Sequence, residues 1–385
     1  MDALQSLLEE SVRTGVVPSA QACVLHEGRV VYQGAAGGTS PASRYDLASL
    51  TKVLGPTAVF LSLWSSGQLG PQTPIARFYP KSALAAVNAT VGDLLFHRSG
   101  LPAWQPFFGP LMHAVPELRD PACPPQVRAQ VREEVVRAAV LQTLERAPGE
   151  AAVYSDLGFI VLGEICGRVA EQSLDALVEE RVAKAFGLDL RYHRLTRMPA
   201  DAKDSPATGL VRPRPPAPGQ EHGWKDVAPV PSVAGEVDDD NAWVMDGVAG
   251  HAGLFGTAEA VARFGQVVLD GFRGGNALAP APLWQMLLAR DRKVEGSTRS
   301  MGFDTPSRTE AGGTSVSSAG RFLGNRSPGA VGHLGFTGTS LWIDLSRNLV
   351  VSLLTNRTLP GRDALGIREL RPRFHDAVVE ALGLV

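Results

Sequence analysis

The two ends of this 385-residue chain carry the same texture, and that shared texture constrains the fold more than any other feature. Near the N-terminus, a helical pattern over Leu4–Val12 leads into two apolar runs, Ala20–Leu25 and Arg29–Gln33, joined by His26-Glu27-Gly28. Near the C-terminus, runs over Gly338–Ile343 and Leu349–Thr355 precede a helical pattern from about Leu370 to Leu382. An isolated hairpin is marginal in water, so the two strand pairs are expected to join in one sheet. The length exceeds that of one ordinary core, which predicts one large or two interleaved domains.

Composition narrows the function classes. Hydrophobic residues make up 44% and charged residues 20%, an ordinary globular balance that rules out a disordered or fibrous chain. Lys and Arg number 37 against 39 Asp and Glu, so no bulk field would gather nucleic acid or an anionic membrane, and neither partner is expected. Cys23, Cys123 and Cys166 are odd in number and widely spaced, which suggests buried free thiols rather than disulfides or a metal site. No glycine pattern for phosphate follows a strand, so no cofactor is expected. The N-terminus lacks a basic and then apolar leader, and no segment reaches about 18 apolar residues. A cytoplasmic location is the expectation, and the oligomeric state is open.

Tyr45-Asp46-Leu47-Ala48-Ser49-Leu50-Thr51-Lys52 sets a serine three residues before a lysine where an apolar run, Leu50–Trp64, begins. Ser49 and Lys52 are therefore expected to share the first helical turn and one face. A serine hydroxyl is a poor nucleophile without a base or cation beside it, and a helix start adds N–H donors. Pro56 lies one turn beyond Lys52 and predicts a kink there. Two more segments stand out. Tyr154-Ser155-Asp156 opens a second helical pattern, and Gly332-His333-Leu334-Gly335-Phe336 precedes the strand-like Ser340–Asp344.

In order and spacing these three elements resemble the penicillin-recognising serine hydrolases, which include class C β-lactamases, DD-peptidases, D-aminopeptidases and related esterases. Leu94–Pro102 and Gly250–Thr257 are similar to the family too, so the resemblance runs from about Pro18 to the C-terminal helix. It implies an α/β fold of the α+β type, with an antiparallel sheet flanked by helices and built from both chain ends. Residues 1–72 and 250–385 would form that part, and 73–249 an inserted, mainly helical domain. The resemblance also implies roles. Ser49 would be the nucleophile of an acyl-serine intermediate, and Tyr154 the general base and later acid. Backbone N–H groups of Ser49 and Phe336 would form the oxyanion hole. Asp156, His333 and Gly335 would contact substrate.

Tyrosine has an ordinary pKa of about 10, so acting as a base near pH 7 demands about 4 kcal/mol of help. One ammonium about 4 Å away at an effective dielectric near 20 supplies that much, which predicts that Lys52 lowers Tyr154. A neutral Lys52 acting as the base itself stays open, and the two would titrate as a pair. Departures from the family matter as well. Tyr-x-Asn of the lactamases is Tyr154-Ser155-Asp156 here, and Lys-Thr-Gly is His333-Leu334-Gly335. A neutral imidazole and a leucine hold a carboxylate less well, which predicts weakened carboxylate recognition unless Arg321 or Arg326 compensates.

The remaining features read as structural. Helical spacing covers Val127–Arg146 and Leu157–Ala185, broken at Ala147-Pro148-Gly149. The proline-rich Pro199–Pro231 and the polar Glu295–Gly329 are expected to wall the site. His97 and His251 read as packed, hydrogen-bonded histidines, and the acidic run Glu236–Asp240 as a solvated turn without calcium-loop spacing. Neither G-x-S-x-G nor H-E-x-x-H occurs, which disfavours an α/β-hydrolase or a zincin, and no metal is expected. The sequence thus predicts a serine hydrolase of small-molecule esters or amides, an esterase foremost. DD-carboxypeptidase, D-aminopeptidase or weak β-lactamase activity is the alternative, and a noncatalytic acylatable binder the alternative of another class.

Overall fold

The computed structural model describes residues 1–120, 123–214, 229–307 and 318–385. Five strands form one antiparallel sheet: β1 (Ala20–His26), β2 (Arg29–Ala36), β3 (Ala330–Leu334), β4 (Ser340–Asp344) and β5 (Leu349–Thr355), in the order β2-β1-β5-β4-β3. The two chain ends meet at its centre, where Ala20 pairs with Thr355 and Val24 with Val351. The β1–β2 turn is set by Glu27 and Gly28, both at positive φ, which matches the twist of a two-residue hairpin.

Period-two alternation explains how helices cover both faces. Ala22, Val24, Val351 and Leu353 face the terminal helices Asp2–Arg13 and Ile367–Ala381 through Leu4, Leu8 and Phe374. Cys23, Leu25, Val350 and Leu354 point the other way, into the larger core shared with the helix Ala258–Gly274. Gly265 lets that helix lie close, since a Cβ there would sit 2.4 Å from Val350 Cγ1. All three cysteines are buried and free, as the spacing predicted. Among the described residues no helix is long and apolar enough to cross a membrane.

The predicted elements differ mainly at their ends. The Val127–Arg146 pattern becomes a helix over Pro125–Val140, and Leu157–Ala185 divides into Asp156–Ala170 and Leu174–Val178, followed by a wider turn over Glu179–Lys184. Glu171 at φ +53° ends the first piece in a left-handed cap. The predicted kink at Pro56 is present. Val53–Thr57 forms a π-type turn, with Gly55 at φ −102° and ψ −105°, before the regular helix Ala58–Ser65.

Candidate active site

The nucleophile turn is held from below by side chains. Tyr45–Asp46 pairs with Leu254–Gly256. The buried Asp46 carboxylate then accepts the N–H of Ala48 at 2.8 Å and that of Asp238 at 2.6 Å. Ala48 takes φ +47°, a left-handed conformation that costs a non-glycine residue of order 1 kcal/mol or more and persists only where surroundings impose it. Thr337 and Thr339 hydroxyls donate to the carbonyls of Asp46 and Leu47 at 2.9 and 3.0 Å. Gly335 is required by the same packing. A Cβ there would lie 1.9 Å from Thr339 Oγ1 and 2.7 Å from the Leu47 carbonyl. The backbone at Gly335 is therefore approached closely by the protein's own nucleophile turn.

Ser49 sits on a short 3-10 turn, Ala48–Leu50, and is partly accessible. Lys52 Nζ is fully buried and donates to three acceptors: Ser49 Oγ at 3.1 Å, Asp156 Oδ1 at 2.6 Å and the His251 carbonyl at 3.2 Å. The expected serine–lysine neighbourhood is thus formed, although the regular helix starts later than predicted. Burial alone would push the Lys52 ammonium down, but Asp156 and Tyr154 outweigh it and the net shift is upward. This favours the charged lysine over the neutral one.

Tyr154 lies over the same ammonium, with Nζ 4.7 Å from its ring centroid, and its phenol interacts with both Lys52 and Ser49. Its ring contacts His97 at 4.6 Å and His333 at 5.8 Å. Burial pushes the phenol up, and Asp156 opposes tyrosinate, so the lowering by Lys52 is overcome. The predicted fall of Tyr154 toward pH 7 is corrected on that ground.

His97 accepts the Ser155 N–H at Nδ1 (3.0 Å) and packs on Tyr154 and Phe159, the structural part foreseen for it. His333 is buried and neutral, pushed well below the ordinary imidazole range by burial and by Lys52 and Arg299. Its Nδ1 donates to the Leu334 carbonyl at 2.8 Å, which leaves Nε2 as a lone pair without a partner among the described residues. Where the family's lysine would donate, this chain offers an acceptor.

A cleft of about 650 Å³ opens above Ser49, lined by Tyr154, His333, Gly335, Phe336 and five arginines, Arg299, Arg357, Arg362, Arg368 and Arg371, against two carboxylates, Asp304 and Asp363. Arg299 pairs with Asp304 at 3.2 Å and stands 5.3 Å from the Tyr154 ring centroid. Arg371 is buried and among the described residues binds carbonyls alone, those of Gly335 and Thr339 at 2.6 and 2.8 Å, and Arg357 holds the Phe336 carbonyl at 2.7 Å. Among the described residues Arg357, Arg368 and Arg371 have no carboxylate within ion-pair distance, and burial pushes Arg371 down to about 9. The cleft thus carries uncompensated positive charge. Arg321 and Arg326 are elsewhere, on Asp376 with Glu380 and on the Val385 carbonyl respectively, so neither stands where it could compensate at His333.

Two expectations about loops change. Of Glu295–Gly329, Arg299 and Asp304 do wall the cleft, while 308–317 lie outside the described residues. Of Pro199–Pro231, residues 215–228 lie outside the described residues, and none of the described ones lines the cleft. Instead Arg212 and Arg214 bind the acidic run, which is not a solvated turn: Asp238 and Asp240 are buried, paired with Arg212, Arg214 and Arg362. No group of residues suited to a metal ion occurs among the described residues. Arg357, Arg362, Arg368 and Arg371 were missed because they belong to a loop and a helix whose faces no single-sequence pattern assigns.

Comparison with known proteins agrees with this architecture. A profile of the family described as Beta-lactamase matches residues 4–372. An Escherichia coli strain K12 protein named "Putative D-alanyl-D-alanine carboxypeptidase" is 27% identical over 88% of this chain and 78% of its own length. The Bacillus subtilis strain 168 N-acetylmuramyl-L-alanine amidase is 27% identical over 92% of this chain and 80% of its own. The structure of the octameric penicillin-binding protein homologue from Pyrococcus abyssi superposes with a TM-score of 0.70 at 17% identity, covering 99% of this chain and 77% of that one.

Proposed function

Because this chain belongs to the beta-lactamase family of serine hydrolases, we propose that it cleaves an amide whose amine side is an amino acid bearing a carboxylate, by way of an acyl-Ser49 intermediate. The observation that carries this reading is the cleft's uncompensated arginine charge, from Arg357, Arg368 and Arg371. A guanidinium fork suits a carboxylate, and among the described residues these cations have no protein carboxylate to satisfy them. Two relatives support the choice through their names, a D-alanyl-D-alanine carboxypeptidase and an N-acetylmuramyl-L-alanine amidase, since both release the amine of an alanine unit. In the form of the site whose Tyr154–Lys52 pair has given up one proton to solvent, Ser49 Oγ attacks the scissile carbonyl and its proton passes to that pair, which later returns it to the leaving group. The N–H groups of Ser49 and Phe336 receive the developing oxyanion. The departing amine takes up a proton, and water then hydrolyses the Ser49 ester.

Hydrolysis of small esters, with no carboxylate required, is the second reading. The exposed Phe336 and Leu365 support it, since they give the cleft an apolar wall for an acyl chain. Release of alanine from N-acetyl-D-alanyl-D-alanine and from N-acetylmuramyl-L-alanine, compared with hydrolysis of p-nitrophenyl butyrate, separates the two. A butyrate kcat/KM unaccompanied by alanine release from either amide rejects the first reading.

A further inference from the structure

Among the groups that hold the Lys52 ammonium, the least conspicuous is the backbone carbonyl of His251 at 3.2 Å. That carbonyl belongs to a glycine-rich turn pressed against the helix Asp156–Ala170, where a Cβ on Gly250 would lie 2.0 Å from the Phe159 carbonyl. The His251 imidazole is itself buried, 1% exposed, and its Nε2 lies 2.8 Å from Asp239 Oδ1. An ionised carboxylate only accepts, so Nε2–H is the donor. Asp239 is held well below the usual carboxylate range: burial raises it, but the His251 interaction, the Ala242 N–H and Arg362 together prevail. The same carboxylate caps the helix Asp240–Val244 by accepting the Ala242 N–H at 2.7 Å. The neighbouring Asp238 N–H is the one that grips Asp46 beneath the nucleophile. One acidic run therefore reaches both the serine and the lysine, and neither contact was foreseen from the sequence.

We propose that Asp239 and His251 are positioning residues for Lys52: Asp239 fixes the imidazole, the imidazole fixes the turn, and the turn's carbonyl aims the ammonium at Ser49. The proposal rests on the acyl-Ser49 reading above. Without the tether the lysine keeps Asp156, but its line to Ser49 is free to swing, and displacements of this size cost rate rather than affinity. The carbonyl also favours the ammonium over the amine, so its withdrawal lowers the pH at which Lys52 titrates. The charged and titratable groups facing the pair are Asp156, Tyr154, His97 and His333 around Lys52, and His251 and Arg362 around Asp239.

The test measures the rate of Ser49 labelling by a fluorophosphonate, and kcat and KM for p-nitrophenyl acetate corrected for spontaneous hydrolysis, from pH 5 to a pH above the Lys52 titration. Asp239→Ser retains a helix cap but is too short to reach His251, whereas Asp239→Asn retains both the cap and the acceptor. His251→Phe removes the donor and keeps ring volume. The expected result is a fall of about tenfold in labelling rate and kcat for Asp239→Ser and His251→Phe, with KM within about twofold. The alkaline limb of the pH profile should move to lower pH by about half a unit or more, and Asp239→Asn should restore both. Wild-type rates and an unmoved limb in Asp239→Ser overturn the proposal, as does an Asp239→Asn no better than Asp239→Ser. Should Asp239→Ser fail to fold, His251→Phe against wild type decides by the same two readouts. An unlabelled wild-type Ser49 rejects the acyl-serine reading instead, which keeps the two failures apart.

Discussion

Lys52 Nζ and Asp156 Oδ1 stand 2.6 Å apart, an ion pair whose ammonium is fully buried and whose carboxylate is 18% exposed. It joins the turn that carries Ser49 to the helix that begins beside Tyr154, so the reacting groups are fixed by one contact between two distant parts of the sequence. It also sets the charge state of the site. With Asp156 beside it, the ammonium is neutralised in part, and less of its field remains to draw a proton from Tyr154.

Ser49→Ala should abolish turnover by at least about a thousandfold while leaving the fold intact, the scale seen when an acting nucleophile is lost. A fluorophosphonate should label wild type at Ser49 only, read by peptide mass spectrometry. An adduct on another serine, or unchanged hydrolysis in the variant, removes Ser49 from the role.

Gly335→Ala tests whether the nucleophile turn is held by packing. A methyl at this position meets Thr339 Oγ1 at 1.9 Å and the Leu47 carbonyl at 2.7 Å, and neither can retreat without moving Ser49. Overpacking of this kind costs about 1–3 kcal/mol, so the unfolding midpoint in urea should fall, and kcat should fall with it. A variant with wild-type kcat and midpoint would falsify the packing argument.

The sheet was legible from strand alternation at both ends, and the Ser49–Lys52–Tyr154 cluster from the serine–lysine spacing at a helix start together with the family resemblance of the Tyr154 segment. What escaped depends on long-range pairing. The run Asp238-Asp239-Asp240 reads as a surface turn until Arg212, Arg214 and Arg362, distant in sequence, are brought against it. Arg371 lies in the predicted C-terminal helical pattern, but nothing in that pattern tells that the fold turns it under Gly335 and Thr339. The direction of the Tyr154 shift failed for a related reason. The sequence gives the ammonium but not the depth of burial, and burial is the larger effect.

Asp46 gives stability a pH dependence with a definite sign. Burial, with Asp238 nearby, lifts its carboxyl to about 7 despite the two N–H groups it accepts and the influence of Arg212. Its folded value lies above an unfolded value near 4, so the folded chain binds this proton more tightly. The resulting stabilisation is fully present below about pH 4 and lost as pH rises through 7, up to about 4 kcal/mol. Asp46→Asn cannot titrate. The stability advantage of wild type over this variant, from urea unfolding at pH 5 and pH 8, should shrink at the higher pH. An advantage that is constant or grows contradicts the shift.

Arg368 is exposed on the cleft wall and has no carboxylate partner among the described residues, so its removal should cost substrate recognition and little folding. Arg368→Ala is expected to raise KM for N-acetyl-D-alanyl-D-alanine by about tenfold, as for a charge-assisted contact of 1.5 kcal/mol or so. Hydrolysis of p-nitrophenyl butyrate, which has no anionic group, should stay within about twofold. Equal loss on both substrates points to a structural part for Arg368 and removes it from carboxylate recognition.

Asp156→Asn separates the two effects of this carboxylate, on the lysine and on the substrate. Removing the charge leaves Lys52 buried without a counter-ion, a change that costs several kcal/mol unless the ammonium sheds its proton. Either way the consequence for the acylation step is common to all substrates, because Lys52 meets Ser49 and not the leaving group. The effect on substrate is selective. Asp156 is partly exposed beside Lys52, which itself reaches Ser49, so its charge opposes an anionic group brought close to that pair, and it lacks the amide N–H that asparagine offers to an acylamino carbonyl. Nitrocefin carries a carboxylate and an acylamino group, whereas p-nitrophenyl butyrate carries neither. The ratio of kcat/KM for nitrocefin to that for butyrate should therefore rise in Asp156→Asn, even if both constants fall. Measured on wild type and variant under one set of conditions, an unchanged ratio assigns Asp156 to the lysine alone.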